Sequence, residues 1–182
     1  MIHKWWRAFK LTGRKIKEKL FGTQIDRLRK QGAVIGENVH LYGTYIDTTI
    51  PFLLTIGDNT TLTDVKVLMH DASTFKETGF TKMGKVTIGS NVFIGVKTVV
   101  LPGVTIGDRC IIGAGSVVSR DIPENSVAAG NPCKVVKSYD AYMQEQRARM
   151  KDDNCIPKLP GQLTKDEIAD LRENMTGIWY IR

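Results

Sequence analysis

The chain has 182 residues, a formal net charge of +7 and three cysteines. This length suits one ordinary domain with appendages. The odd cysteine count without metal-type spacing disfavours a disulfide framework and favours a reducing, cytoplasmic compartment. No apolar stretch is long enough to span a bilayer, and the N-terminus lacks the uninterrupted apolar region of a secretory signal.

The positive charge is concentrated at the beginning of the chain. Residues 1–22 contain seven basic residues and one acidic residue, interleaved with aromatic side chains such as Trp5, Trp6 and Phe9. This pattern predicts a basic amphipathic helical segment within residues 1–31. The segment either lies on an anionic membrane surface or caps the open end of the following domain. Nucleic acid is not a predicted partner, because no recognition motif accompanies the charge.

Residues 32–138 carry a six-residue repeat. Every sixth residue is aliphatic and β-branched: Ile88, Ile94, Val100, Ile106, Ile112 and Val118. Four of these six residues are followed by Gly. A six-residue period returns the same side chain to the same corner of a coil, which is typical of a parallel β-helix. The same grid in a two-sheet sandwich is the alternative. Earlier runs have other phases and include Ile35, Leu41, Ile50, Ile56, Leu62 and Leu68.

The breaks in the repeat predict insertions. The interval from Leu68 to Ile88 is not a multiple of six, so residues 69–87 are expected to leave the coil as an extruded loop. A smaller irregularity is expected near residues 43–47. Solenoids place such insertions on one face, which is often the binding face.

The pattern becomes helical after Asn131-Pro132. Residues 139–182 predict one helix from Tyr139 to Asp153 and, after a loop, a second that begins at the capping box formed by Thr164 and Glu167. These helices are expected to cover coil ends or to pack on a neighbouring subunit.

Five segments together resemble the hexapeptide-repeat acyltransferases: Val86 to Gly95, Leu101 to Asp108, Ile112 to Val118, Asp121 to Pro123, and Ala129 to Val136. The match is similar to the galactoside and maltose acetyltransferase branch and to relatives that O-acetylate bacterial polysaccharides. The resemblance implies a mainly β fold, a left-handed parallel β-helix. It also implies a homotrimer with sites between subunits, acetyl-CoA as acyl donor, a carbohydrate acceptor and no metal.

His70 stands where the extruded loop begins, and a neutral imidazole there can take a proton from a sugar hydroxyl. In the family a histidine at this place is the general base, so the resemblance implies that role for His70. The neighbouring Asp71 is a candidate to orient the imidazole or to bind substrate, although Asp is equally natural as a turn starter there. Asp47 and Asp64 are candidate acceptor-binding residues on the preceding coils.

The resemblance also implies a set of coenzyme A contacts. Phe93 would contact the pantetheine arm, and a backbone N–H after Gly95, at Val96, would be the oxyanion donor. Backbone groups and phosphate-binding cations complete the set: Ala114, Ser119, Arg120, Lys134 and Lys137. For each lysine, a solvated surface charge is the alternative.

The sequence thus predicts an acetyl-CoA-dependent O-acetyltransferase that modifies a sugar hydroxyl of a bacterial surface polysaccharide or its precursor. Two alternatives stay open: N-acetylation of a nucleotide-linked amino sugar, and a catalytically silent trimeric scaffold that docks on membranes through residues 1–22. A zinc site of the carbonic anhydrase kind is disfavoured, because His3, His40 and His70 lack the spacing that three converging ligands need.

Overall fold

A computed structural model describes residues 23–151 and 154–182, so the predictions for residues 1–22 lie outside the described residues. The chain divides into a first unit that ends at Tyr139 and a second unit, Asp140–Arg182. Among the described residues, no helix combines the length and the apolar character that crossing a bilayer requires.

The first unit begins with helix α1, Gln24–Lys30, which Thr23 and Asp26 cap reciprocally. Its Leu28 is buried in the core cluster of the unit. Arg29 donates hydrogen bonds to the carbonyl oxygens of Ile35 and Gly36. Helix α1 therefore packs on the first coil of the β-structure.

Short strands then build three parallel sheets, which we call faces 1, 2 and 3. Face 1 contains β1 (Val34–Ile35), β4 (Leu54–Ile56), β9 (Val86–Ile88) and β12 (Thr105–Ile106). Face 2 contains β2 (His40–Tyr42), β5 (Thr61–Thr63), β10 (Phe93–Ile94), β13 (Ile111–Ile112) and β15 (Ser126–Ala129), with β16 (Lys134–Ser138) antiparallel at its edge. Face 3 contains β3 (Tyr45–Ile46), β6 (Lys66–Val67), β11 (Val99–Val100) and β14 (Val117–Val118).

The chain visits the three faces in the same order on each turn, so the described residues form four complete coils and a partial fifth. The six aliphatic residues of the regular repeat are all buried, and they stack in register between coils: Ile88 on Ile106, Ile94 on Ile112, and Val100 on Val118. The sandwich alternative is wrong, because each sheet takes only one short strand from each coil. The first unit is therefore a parallel β-helix, as the repeat predicted.

Small residues allow the coils to stack closely at the corners. A Cβ placed on Gly89 would lie 2.3 Å from Asp108 Oδ1 and 2.8 Å from the Asp108 backbone nitrogen. Real Cβ atoms essentially never come so close to backbone. Gly is thus required after this core residue because the next coil occupies the space.

Two expectations about the earlier coils are wrong in register. Val67, not Leu68, is the buried face 3 residue of the second coil, and Ile46 occupies that position in the first coil. Ile50 is only partly buried and precedes a 3₁₀-helix, Pro51–Leu53. Near residues 43–47 the spacing from Leu41 to Ile46 is five instead of six, and a longer connection between β3 and β4 follows from Asp47.

The extruded loop is shorter than the expected residues 69–87. Met69 is fully buried, and Val86 already pairs with Leu54 on face 1. Residues 70–85 form β7 (His70–Asp71), a 3₁₀-helix (Ala72–Thr74), α2 (Phe75–Thr78) and β8 (Lys82–Met83), with β7 and β8 antiparallel.

The second unit contains α3, which begins in the first unit (Tyr139–Arg149), β17 (Cys155–Ile156), a 3₁₀-helix (Pro160–Gln162), α4 (Lys165–Asn174) and β18 (Tyr180–Ile181). Thr164 and Glu167 form the expected capping box at the start of α4. The two strands pair in parallel, which the sequence did not predict.

Candidate active site

The centre of the site is a pair formed by His70 and Asp47. His70 Nδ1 is hydrogen-bonded to Asp47 Oδ2. Asp47 follows β3 in the first coil, and His70 follows the corresponding strand β6 in the second coil. The Asp47 side chain is 1% exposed, whereas that of His70 is 37% exposed. The predicted acceptor contact by Asp47 is therefore wrong, because its carboxylate is buried behind the imidazole.

The surroundings of Asp47 keep its carboxylate ionised. Burial raises the pKa of Asp47, but hydrogen bonds from the Thr49 N–H and the His70 imidazole outweigh that effect, so the pKa lies below its usual value. Asp47 Oδ1 accepts the Thr49 N–H at 3.0 Å, and Oδ2 accepts the Met69 N–H at 3.4 Å. The carboxylate is thus held by backbone groups on both sides.

A carboxylate against Nδ1 fixes the tautomer of His70. Because a carboxylate only accepts hydrogen bonds, Nδ1 carries the proton and the lone pair lies on Nε2. No hydrogen-bond partner of Nε2 occurs among the residues that the structure describes. The arrangement orients the imidazole and leaves Nε2 with a lone pair that is chemically able to accept a proton.

Asp71 does not orient His70. Its carboxylate accepts the Ser73 N–H at 2.8 Å and pairs with Lys82 Nζ at 2.6 Å. The Lys82 ammonium and the Ser73 N–H lower the pKa of Asp71 to about 2. Asp71 is thus a loop-forming residue, and its role in substrate binding stays a prediction.

Asp64 lies at a different corner of the prism. It follows β5, between faces 2 and 3, and its Oδ2 is 2.5 Å from Lys97 Nζ on the next coil. His70 lies between faces 3 and 1. One chain does not bring Asp64 to its own His70 corner.

On a single chain, the residues predicted to contact coenzyme A lie at different corners and faces of the β-helix. Gly95, Val96 and Ala114 lie on consecutive coils at the corner between faces 2 and 3, and Lys134 pairs with Ala129 on the coil beyond them. Phe93 points outward from face 2 and is 47% exposed. Ser119 and Arg120 follow β14 at the His70 corner, two coils further on, and Lys137 pairs with Val127 within face 2.

The corner between faces 2 and 3 offers backbone donors. The Gly95 N–H donates to the Ile112 carbonyl at 2.8 Å, and the Gly115 N–H donates to the Val96 carbonyl at 2.8 Å. By contrast, the N–H groups of Val96 and Ala114 donate to no group in the described part of the chain. Both residues are exposed, so these two N–H groups are available to a ligand carbonyl or oxyanion.

A cavity of about 370 Å³ lies between α1 and β3. Its lining includes Gln24, Arg27, Tyr45 and Thr48, the last of which follows Asp47 in the chain. Amide, guanidinium and hydroxyl groups of this kind form hydrogen bonds with sugar hydroxyls. Sequence reasoning did not single out these residues.

No group of three or more His, Cys, Asp or Glu side chains suited to a metal ion occurs within residues 23–151 and 154–182. His40, the other described histidine, contacts Asn38 Oδ1 at 3.0 Å through Nε2 and stacks on Tyr42.

The pairing of Asp47 with His70 was missed, although the sequence holds a signal for it. Ile35 to Ile56 and Leu41 to Leu62 are both separated by 21 residues. Applying the same period to Ile46 would have placed Asp47 directly beneath the residue that follows Val67. Assigning Leu68 to the buried position concealed this relation.

A parallel β-helix with exposed N–H donors at one corner and a histidine held by a carboxylate at another has the groups that a transferase needs. Residues 85–120 match the family model for the bacterial transferase hexapeptide (six repeats). Protein CapG of Staphylococcus aureus is 39% identical over 124 residues, which cover 64% of this chain and 72% of CapG. The chain belongs to this hexapeptide-repeat transferase family.

Other relatives extend the comparison. The galactoside O-acetyltransferase of Escherichia coli K12 is 40% identical over 114 residues, which cover 58% of this chain and 56% of that enzyme. A Staphylococcus aureus protein with an acetyltransferase name, from strain MRSA252, is 60% identical over 62 residues, and the chain spans only 31% of its length. The hexapeptide-repeat acetyltransferase VCA0836 of Vibrio cholerae shares the fold, with a TM-score of 0.50, 20% identity, and coverage of 73% of this chain and 92% of that one.

Proposed function

We propose that the chain is an acetyl-CoA-dependent O-acetyltransferase that acetylates a sugar hydroxyl, with His70 as general base. The observation that carries the proposal is the imidazole whose Nδ1 is held by the buried carboxylate of Asp47 while Nε2 remains accessible. The relatives named as a galactoside O-acetyltransferase and as acetyltransferases support the acyl group and the acceptor class.

In the proposed reaction, His70 Nε2 removes the proton of the acceptor hydroxyl as its oxygen attacks the thioester carbonyl. The new C–O bond gives a tetrahedral oxyanion. Its collapse breaks the C–S bond, and the coenzyme A thiolate takes the proton back from the imidazolium. Asp47 stabilises that imidazolium without being protonated, and no covalent enzyme intermediate forms.

The donor site requires a second chain. The base lies at the corner between faces 3 and 1, and the unpaired N–H groups of Val96 and Ala114 lie at the corner between faces 2 and 3. A base on one subunit would therefore meet an oxyanion donor on the next. This arrangement supports a homotrimer, left-handed in its coils as the family resemblance implies, with each site shared by two subunits.

Coenzyme A would lie along that shared corner. Phe93 contacts the pantetheine arm, the Val96 N–H stabilises the oxyanion, and the Ala114 N–H binds an arm carbonyl. The phosphates meet cations and backbone groups at the later coils, which include Ser119, Arg120, Lys134 and Lys137. Gly95 allows the next coil to stack closely at this corner, because a Cβ there would lie 2.7 Å from the Ala114 nitrogen.

The acceptor is a carbohydrate of a bacterial surface polysaccharide or its precursor. The cavity beside Asp47 supplies polar groups on the acceptor side, and Asp64 and Asp71 are further acceptor-binding candidates. The basic aromatic segment 1–22 supports a cytoplasmic protein that touches the anionic inner membrane surface, where lipid-linked precursors are assembled.

The test is turnover of acetyl-CoA with methyl β-D-galactopyranoside and an oligosaccharide panel, with the acetylated atom identified by mass spectrometry and NMR. His70→Ala should lower kcat by about 10²- to 10⁴-fold, the usual contribution of a general base. His40→Ala is the matched control and should stay close to the native rate. Full activity of His70→Ala would refute the mechanism, acetylation of an amino group would favour the N-acetyltransferase, and absent acetyl-CoA binding in calorimetry would favour the silent scaffold.

A further inference from the structure

The extruded loop, residues 70–85, exposes large apolar side chains. Phe75, Phe80 and Met83 are 57%, 77% and 65% exposed, and no residue of the loop is buried. Single exposed apolar residues are ordinary, but three lie on this 16-residue excursion, and Phe80 is the most exposed of them. An aromatic ring with this exposure is available to a ligand or to a partner protein.

Hydrogen bonds within the loop hold Phe80 in place. The Thr74 hydroxyl donates to the Phe80 carbonyl at 2.8 Å, and the Phe80 N–H donates to the Thr78 hydroxyl at 3.1 Å. Gly79, with φ +72°, ends the short helix α2 and donates to the Phe75 carbonyl at 2.8 Å. The backbone around Phe80 is therefore fixed while its ring projects into solvent, which lowers the entropic cost of binding through that ring.

The base of the loop ties Phe80 to the catalytic pair. Met83 is paired with His70 across the β7–β8 ladder, and Lys82 is paired with Asp71 by backbone register and by an ion pair. Phe80 precedes Met83 by three residues, so their Cα atoms are separated by at most about 10 Å. That span corresponds to a sugar unit next to the one that reaches His70.

The composition of the loop tip favours a glycan over a protein surface. Exposed Lys76 and Glu77 lie between the two phenylalanines. Lys and Glu are depleted from the centres of protein–protein interfaces. An aromatic face flanked by charged groups suits a pyranose, because the ring packs on the C–H face of the sugar and the charged groups bind its hydroxyls.

We propose that Phe80 is the stacking platform of a second sugar subsite, which binds the unit adjacent to the one acetylated. The inference rests on the proposed function and narrows it: the acceptor is a glycan of at least two sugar units.

The experiment measures glycan binding separately from acetyl transfer. Saturation-transfer NMR titrations of the full chain use lactose, maltotriose and chitotriose, each against its monosaccharide. At least one oligosaccharide should bind more tightly than its monosaccharide, and Phe80→Leu should weaken that binding about three- to tenfold, the effect of one aromatic contact. Phe80→Trp should retain it, and Phe75→Leu on the same loop should leave it unchanged.

Three outcomes would overturn the subsite: no preference for any oligosaccharide in the native chain, native binding by Phe80→Leu, or equal losses in Phe75→Leu and Phe80→Leu. A change in oligomeric state of Phe80→Leu with unchanged glycan binding would assign the ring to a neighbouring subunit instead. A glycan preference that depends on Phe80 but comes without acetyl transfer would refute the proposed function and leave Phe80 as a sugar-binding residue only. Because Phe80 is largely exposed, circular dichroism should show a native fold in every variant.

Discussion

Replacing Asp47 by Asn tests the proposed catalytic role of the pair of His70 and Asp47 with little change in side-chain shape. The carboxylate uses Oδ1 for the Thr49 N–H and Oδ2 for both the Met69 N–H and His70 Nδ1. Asparagine has one acceptor oxygen. If that oxygen keeps the hydrogen bond from the Thr49 N–H, the amide NH₂ group faces His70 Nδ1 and the Met69 N–H.

The substitution therefore reverses the histidine tautomer. An amide donor against Nδ1 leaves the proton on Nε2, which then cannot accept the proton of the acceptor hydroxyl. We expect kcat to fall by about 10²- to 10⁴-fold with an unchanged KM for acetyl-CoA. The Met69 N–H loses its acceptor, so the free energy of unfolding should fall by about 1–3 kcal/mol.

The assay follows release of the coenzyme A thiol at saturating acetyl-CoA, with urea unfolding measured in parallel. Asp71→Asn is the matched control, because Asp71 is adjacent to His70 in the chain but bonds Ser73 and Lys82. Because Asp71 is an acceptor-binding candidate, its substitution can raise the KM for the acceptor, so both variants are compared at saturating acceptor, where Asp71→Asn should stay within about threefold of the native kcat. A native rate in Asp47→Asn, or equal losses in the two variants, would refute the reasoning.

Three further predictions concern the loop, the corners and the thiols. The pKa of Asp71, measured by NMR, should lie near 2 and should rise toward 3.8 in Lys82→Met. Because folding lowers this pKa, the ionised carboxylate stabilises the base of the loop above pH 3.8, and this stabilisation is lost as the pH falls through about 2. Gly89→Ala should lower the free energy of unfolding in urea by about 1–3 kcal/mol, whereas Gly161→Ala, whose Cβ meets nothing within 4 Å, should be nearly neutral. In the native chain a disulfide reagent should modify Cys155 faster than Cys110 or Cys133, because burial raises the pKa of both of those thiols; equal rates for all three would contradict this.

The third and fourth coils can be predicted from the sequence because the same physical constraint applies at every position of the repeat. Each coil must place one aliphatic side chain on every face, and the corner after it must admit the next coil, so Ile88 to Val118 and their glycines follow a strict period. The first two coils keep the first spacing at six but shorten the second to five, from Leu62 to Val67. A grid of six therefore predicts Leu68 at a position that Val67 occupies.

The candidate site could be predicted from the sequence only where neighbouring residues along the chain mark it. His70 is marked by its place at the start of an insertion, whereas the partner of its imidazole depends on which residues two irregular coils bring together. Asp64 and Asp47 look alike in sequence as single acidic residues near corners. Their environments differ because one pairs with Lys97 at the surface and the other is buried beneath His70.

The two irregular connections explain why the pair of His70 and Asp47 lies where it does. Both leave the prism at the corner between faces 3 and 1: the first connects β3 to β4 and begins at Asp47, and the second connects β6 to β9 and contains His70. In the third coil the same corner is crossed in four residues, between β11 and β12, and in the fourth coil in three, between β14 and Ile122, which pairs with Ile106 of face 1. Neither crossing buries a carboxylate. A buried carboxylate needs hydrogen-bond donors, and at this corner the long connections supply them as the N–H groups of Thr49 and Met69. Shortening either connection to the length found in the later coils should therefore abolish the oriented base while the remaining coils stay folded.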